Sequence, residues 1–343
     1  MSATALALLL PLAPRPAADE RLSSWLSRIA RIYGLSASEL LAHFGLAKAS
    51  ALRLEKQLSA GQGALIAGPV GLSAPMIEAM TFSTLAPRAH FMIGPSARYF
   101  CPRCAETPAI GRKAAALPWT FWCSAHGVRL WAREQRPMEA LLPQSVLERL
   151  DPLARRGAGR LAAWAEDRDC LAEAGLPTVP DLLEFLTARY RRSSPPSVAE
   201  QPRLSLEARR ANHGFLTQPI ARQALLVLSP EYNRFAPVLA KPVRPGLDAL
   251  ASGSLLQNYA LAVAVARLTE NPVEHVAEAL AAADAEGETS LRQVLRSWPL
   301  TTRRRIYAQS RRLLAVKSAE KLLWSRPKRI GLQRSSTNYA RVP

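Results

Sequence analysis

The chain is poor in several things, and each shortage narrows what it can be. Aromatic residues make up only 6% of its 343 residues, which disfavours a large sheet protein and leaves a helical one. No apolar run approaches the roughly 18 residues that a membrane-crossing helix requires. Glycine, at 17 residues, is outnumbered by 27 prolines, so a glycine-rich or collagen-like chain is excluded and stiff connections are expected. There is no G-x-x-x-x-G-K-[ST] phosphate loop, no G-x-G-x-x-G after a strand and no H-E-x-x-H, the motifs of nucleotide hydrolysis, dinucleotide binding and zinc proteolysis. Acidic residues are sparse, with no spaced trio of carboxylates to hold two catalytic metals. The reading is therefore non-enzymatic, and a nucleic-acid-processing enzyme is the third choice.

The acidic shortage has a positive side. Formal net charge is +18, and a protein this basic usually meets a polyanion. The excess is concentrated. From Thr301 onward there are twelve Lys and Arg residues against one acid, Glu320. Arg303, Arg304, Arg305, Arg311, Arg312, Lys328 and Arg329 are the candidate nucleic-acid contacts, because basic side chains on phosphates release counterions. Arg304–Trp324 has helical spacing, and Ser325–Pro343 reads as a basic tail. No amphipathic anchor with Trp or Phe accompanies the charge, so a membrane is not expected as a partner.

Cysteine is also scarce, and three of the four fall between 101 and 123. Cys101-Pro102-Arg103-Cys104 is followed after 18 residues by Cys123-Ser124-Ala125-His126-Gly127. A two-residue gap lets two ligands turn toward one ion, and two such knuckles complete a tetrahedron. Cys101, Cys104, Cys123 and His126 are accordingly read as ligands of one structural Zn²⁺. Arg103, Arg112, Lys113 and Arg129 are placed to offset the negative charge of the site. Tyr99-Phe100 and Phe121-Trp122 alternate as flanking strands would, and Gly127 suits a turn with positive φ. A thioredoxin-like redox motif would need a βαβ context that is missing. Cys170, alone on a helical stretch, reads as a small buried hydrophobe. Metal-type cysteine usage points to a reducing compartment. The apolar segment Ala3–Leu12 lacks the positive charge of a signal peptide, so a cytoplasmic, nucleoid-associated protein is expected.

Helical periodicity begins at Asp19, with Leu22, Trp25, Leu26 and Ile29 on one face. The acids Asp19 and Glu20 near its start suit the helix dipole. Gly34 ends that helix, and Ser36 or Ser38 caps a second one through Phe44. Ala30–Leu41 fits a helix-turn-helix, although the second helix contains no Lys or Arg and His43 reads as a surface residue. Residues 45–95 show only one further short helix, Pro75–Phe82. Helical spacing returns over Met138–Trp164, Val179–Tyr190, Leu255–Leu268, Pro272–Ala283 and Leu291–Trp298, with Asn271 as an N-cap before Pro272.

The expected architecture is mainly α. It comprises a helix-turn-helix-type region (1–95), an inserted zinc ribbon (96–135), a helical extension (136–192), a linker (193–204) and a helical C-terminal region with a basic tail (205–343). The Pro-Ser segment 193–197 marks the linker.

Two blocks together resemble a known family. Leu12-Ala13-Pro14-Arg15-Pro16, followed by Asp19-Glu20-Arg21-Leu22-Ser23-Ser24-Trp25-Leu26-Ser27-Arg28-Ile29-Ala30, resembles the opening of TniQ proteins. The two knuckles, with Trp119 ahead of the second, are similar to that family's zinc ribbon. The resemblance covers roughly residues 10–135. It implies a non-catalytic target selector or accessory factor in DNA transposition. Such a protein connects target DNA, or an RNA-guided CRISPR complex, to an AAA+ ATPase regulator that recruits the transposase. The four knuckle residues match the family's ligands, and Ala30–Phe44 its helical motif. A homodimer is left open. The runner-up reading is a zinc-containing helix-turn-helix transcriptional regulator.

Overall fold

The computed structural model describes residues 9–95, 98–104, 110–132, 137–187, 245–283 and 285–325, with side chains to Ala319. The expected linker, the basic tail after Ser325 and the site candidates Lys328 and Arg329 lie outside the described residues. The described chain is mainly helical. The N-terminal part contains α1 (Leu22–Ile32), α2 (Ala37–His43), α3 (Ala51–Leu54), α4 (Ala60–Val70) and α5 (Ala74–Ala79). After the cysteine knuckles come α6 (Met138–Leu141), α7 (Gln144–Ala165) and α8 (Val179–Thr187). The C-terminal part has α9 (Leu247–Ser252), α10 (Leu255–Glu270), α11 (Pro272–Ala282), α12 (Ala285–Val294) and α13 (Leu300–Ser325). No helix among the described residues is long and apolar enough to cross a membrane.

Local chemistry explains most boundaries. Gly34 sits at φ +68° after α1, a left-handed position that costs glycine nothing. Ser36 caps α2: its hydroxyl accepts from the Glu39 N–H, and the Glu39 carboxylate accepts from the Ser36 N–H. This reciprocal pair satisfies two donors the helix itself leaves open. Its backbone component, followed by the Ser36 hydroxyl, holds the Glu39 carboxyl below its usual range. Pro272 opens α11 with Asn271 before it, while the expected Met138–Trp164 helix is interrupted at Leu142-Pro143.

Helix α4 departs from the sequence reading. Its sequence, AGQGALIAGPV, holds three glycines and a proline, so residues 45–95 looked weakly structured. The Ser59/Gln62 capping box starts it and Gly71 at φ +65° ends it. Ile66, Ala67 and Val70 are buried. Tertiary burial and both caps outweigh the poor propensity.

Two apolar cores result. The smaller one gathers Leu22, Trp25, Leu26, Ile29, Leu40, Leu41, Ile66 and Ile77 from α1–α5. The larger one runs from Phe82 through the knuckle region to Ile306 on α13. Its axis is the crossing of α7 and α10, and α10 is buried on nearly every side. At Gly157 of α7 a Cβ would lie 1.8 Å from the Ala262 carbonyl oxygen, so only glycine permits that approach.

A polar clamp joins the cores, and the residues it uses are those of the opening block. Arg21 and Glu55 form a buried ion pair, and Glu55 also accepts from the Ser23 N–H at the start of α1. The dipole of α1 is thus met by a carboxylate from beyond α3, not by Asp19 or Glu20. Glu20 is buried, accepts from the Ala17 N–H and the Ser24 hydroxyl, and pairs with Arg28. Residues 111–114 dock on this cluster. The Arg21 N–H donates to the Gly111 carbonyl at 2.8 Å, the Gly111 N–H donates to Ser24 Oγ at 2.8 Å, and the Ala114 N–H donates to Asp19 Oδ2 at 3.1 Å.

Two stability effects follow. Gly157→Ala should lower the unfolding free energy by about 2–3 kcal/mol through overpacking. An unchanged denaturant midpoint would remove the tight crossing from the account. Glu55→Gln strands the Arg21 guanidinium and should cost about 3 kcal/mol, read from the same titration.

Candidate metal centre

The knuckles are built from tight hydrogen-bonded turns. The Cys104 N–H points at Cys101 Sγ at 3.4 Å. The second knuckle closes as a small hairpin: Cys123 N–H to Val128 O at 2.8 Å, Gly127 N–H to Cys123 O at 2.8 Å and Leu130 N–H to Phe121 O at 2.8 Å. Gly127 occupies φ +65°, the positive value anticipated from its position. Phe100 and Trp131 exchange both backbone hydrogen bonds, at 2.9 and 2.8 Å, so the two turns are laid side by side.

These pairings are isolated bridges, Phe100↔Trp131 and Trp122↔Arg129. The flanking strands expected from aromatic alternation are not formed among the described residues. The chain turns into the first knuckle directly after Cys101, and Pro102 offers no N–H to continue a ladder.

The four ligand atoms converge. All lie within 4.8 Å of one another. His126 Nδ1 is 3.6 Å from Cys101 Sγ, 3.3 Å from Cys104 Sγ and 3.6 Å from Cys123 Sγ, and the Cys104 and Cys123 sulfurs are 3.7 Å apart. Cys101 and Cys123 are buried, Cys104 is half-buried and His126 is exposed. The group could hold a metal ion. The thiols are already divided. Burial, then the Cys123 and Cys101 sulfurs, push Cys104 up to about 11. Burial opposes ionisation of Cys123 too, but the backbone N–H groups of His126 and Ala125 bring it down to about 7. Donors aimed at one sulfur favour its thiolate, the form that binds metal.

Of the four cations expected to offset the site's charge, two are turned elsewhere. Lys113 donates to the Ala79 and Thr81 carbonyls of the N-terminal part. Arg129 pairs with Glu139 and Asp151, which raises its pKa although burial opposes the shift. Arg112 donates to the Ala18 carbonyl at 2.6 Å and still draws Cys104 downward electrostatically. Cys170 is exposed, not the buried hydrophobe expected, because it lies in the irregular turn between α7 and α8.

The supporting residues were not visible in the sequence. Tyr99 OH accepts from Asn258 Nδ2 at 3.1 Å. The Phe121 ring meets Tyr259 edge-on at 5.4 Å, and Tyr259 OH donates to Asp151 at 2.7 Å. Arg155 stacks 4.0 Å over Trp122. The knuckles therefore rest on α7 and α10, and no 35-residue unit has to be stable by itself. The signal for this lies 130 residues away in sequence, where nothing marks Asn258-Tyr259 as a partner.

The other site candidates lie apart from this centre, on α13. Arg303 is half-buried, and Arg304, Arg305, Arg311 and Arg312 are exposed.

Residues 11–130 match the model of the TniQ family. The match spans α1–α5 and both knuckles, and it supports a TniQ-family assignment, hence a transposition-associated accessory protein. No curated protein and no solved structure matches the chain. The TniQ segment ends at Leu130, one residue short of the Trp131 that closes the bridge to Phe100.

Cys101→Ser should remove the metal, read as loss of bound metal by elemental analysis. Tryptophan fluorescence should change with it, because Trp119, Trp122 and Trp131 surround the knuckles. Thiols and imidazole must shed protons to bind a cation, so metal retention should fall as the pH drops through about 6. A variant that keeps stoichiometric metal at neutral pH would refute the ligand assignment.

Proposed function

We propose that the chain is a non-catalytic accessory and target-selection adaptor in DNA transposition. The observation that carries this is the TniQ match over residues 11–130, which takes in both the opening block and the metal centre. The proposed resident ion is Zn²⁺. Zinc–sulfur bonds of about 2.3 Å and zinc–nitrogen bonds of about 2.0–2.1 Å in a tetrahedron imply ligand edges of about 3.8 Å for S–S and 3.6 Å for S–N. The spacings of 3.7 Å and 3.3–3.6 Å fit those edges. Four protein donors fill the coordination sphere, so such an ion builds structure and has no open position for chemistry.

In this reading the adaptor binds DNA, directly or through an RNA-guided complex, and brings an AAA+ ATPase regulator and the transposase to it. The helical hairpin α1–α2 offers a protein-docking surface. Its outward residues Ser38, Glu39, Ala42 and His43 are exposed and include an acid, a poor set for gripping phosphate. The basic residues of α13, with Lys328 and Arg329 beyond it, supply phosphate contacts.

The test is reconstitution. The purified chain, mixed with duplex DNA and the ATPase encoded beside it, should form a ternary complex that either partner alone binds more weakly. Failure of the ATPase to associate at micromolar concentrations would overturn the adaptor reading. A short palindromic footprint bound by a dimer without any ATPase is the result a transcriptional regulator would give. Metal-dependent nicking by the pure chain would make it an enzyme.

A further inference from the structure

The last three helices carry a surface that the basic-tail reading did not include. Helix α12 is anchored along one side. Leu291 and Leu295 are fully buried, α12 and the turn after it pack on α8, and Trp298 lies 5.6 Å from Phe185 of α8. The opposite side faces solvent. It presents Thr289, Arg292, Gln293 and Arg296, all exposed. Their spacing, i, i+3, i+4 and i+7, places them on one helical face, and Arg296 sits in the 3-10 turn Leu295–Ser297 that continues the same path.

The chemistry of this face is that of base recognition. Arg pairs with guanine, Gln with adenine, and Thr bonds to bases or touches the thymine methyl group. Gln293 and Arg296 have no hydrogen-bond partner among the described residues. Arg292 is held in place, paired with Glu288 at 2.7 Å and lying 4.7 Å over the Tyr307 ring. Helix α11 leads into α12 through only Ala283 and Asp284, and α13 packs along α11. That packing brings the exposed Arg304 and Arg305 into the same helical trio.

We infer that α12 enters the major groove of duplex DNA and reads bases through Thr289, Arg292, Gln293 and Arg296, while Arg304 and Arg305 hold the flanking phosphates. The inference rests on the DNA-binding reading above and refines it. Sequence discrimination belongs to the C-terminal trio and not to the N-terminal hairpin. Charge complementarity selects the occupant: the four positions carry two cations and no acid, in a chain of net charge +18. A major groove about 12 Å wide admits a helix, whereas the deep, narrow groove of duplex RNA does not.

Selection from random-sequence duplexes with the full chain tests this. The wild type should enrich a motif of a few base pairs. Gln293→Ala and Arg296→Ala should each lower affinity for that motif roughly tenfold or more and relax one position, leaving other duplexes nearly unaffected. Arg296→Lys should also lose the discrimination while keeping the salt dependence. Arg304→Ala with Arg305→Ala should weaken all duplexes alike and make the slope of log affinity against log salt shallower by about 2. Unchanged melting temperatures establish that these exposed positions do not report on folding. Salt-dependent binding with no enriched motif, a motif unchanged in the α12 variants, or equal affinity for duplex RNA would overturn the inference and leave the adaptor reading standing. No binding to any duplex would remove the DNA-contact part of both.

Discussion

Four ligand atoms within 4.8 Å of one another fix the two ends of an 18-residue interval, and the rest of the molecule is organised around that interval. Its middle, residues 111–114, is fastened to the N-terminal helices. Its ends rest on α7 and α10 through Tyr99, Phe121 and Arg129. The metal centre is therefore a junction between two cores and not an appended module. A tetrahedral ion constrains sulfur and nitrogen positions to tenths of an ångström. That constraint determines where the clamp segment leaves and returns, and hence how the two cores meet.

The opening block has a structural meaning that follows from the same junction. Asp19, Glu20, Arg21 and Ser24 contribute to the clamp, and Trp25 donates from its indole to the Pro14 carbonyl at 2.7 Å. Arg28 and Tyr33 hold the proline lead through the Arg15 and Leu12 carbonyls. Buried charges persist only when paired and hydrogen-bonded, so these residue types are tied to one another. The pairing of the opening block with the knuckles in one family pattern is what this contact requires.

The basic excess divides by position. Arg129, Arg21 and Arg28 are consumed by ion pairs inside the structure. The exposed arginines of α12 and α13 face solvent on the last helical trio. A charge total cannot separate these two groups, because a buried guanidinium and an exposed one count alike.

The sequence by itself determined the helical class, the four ligands and the first two helices. Each rests on local chemistry: ligand spacing, an i, i+3, i+4 apolar face, a capping serine and a glycine that tolerates positive φ. It did not reveal α4, whose caps lie within the helix's own neighbourhood but whose stability comes from burying Ile66 and Val70. Nor did it reveal that Cys170 lies exposed or that strand pairing stops after single bridges. The seat of the knuckles on Asn258 and Tyr259, the Arg21–Glu55 pair and the Gly157–Ala262 contact were decided only in the tertiary structure. Those contacts join residues 34 to 159 positions apart, and a periodicity or a motif carries no information about which distant surface its own will meet.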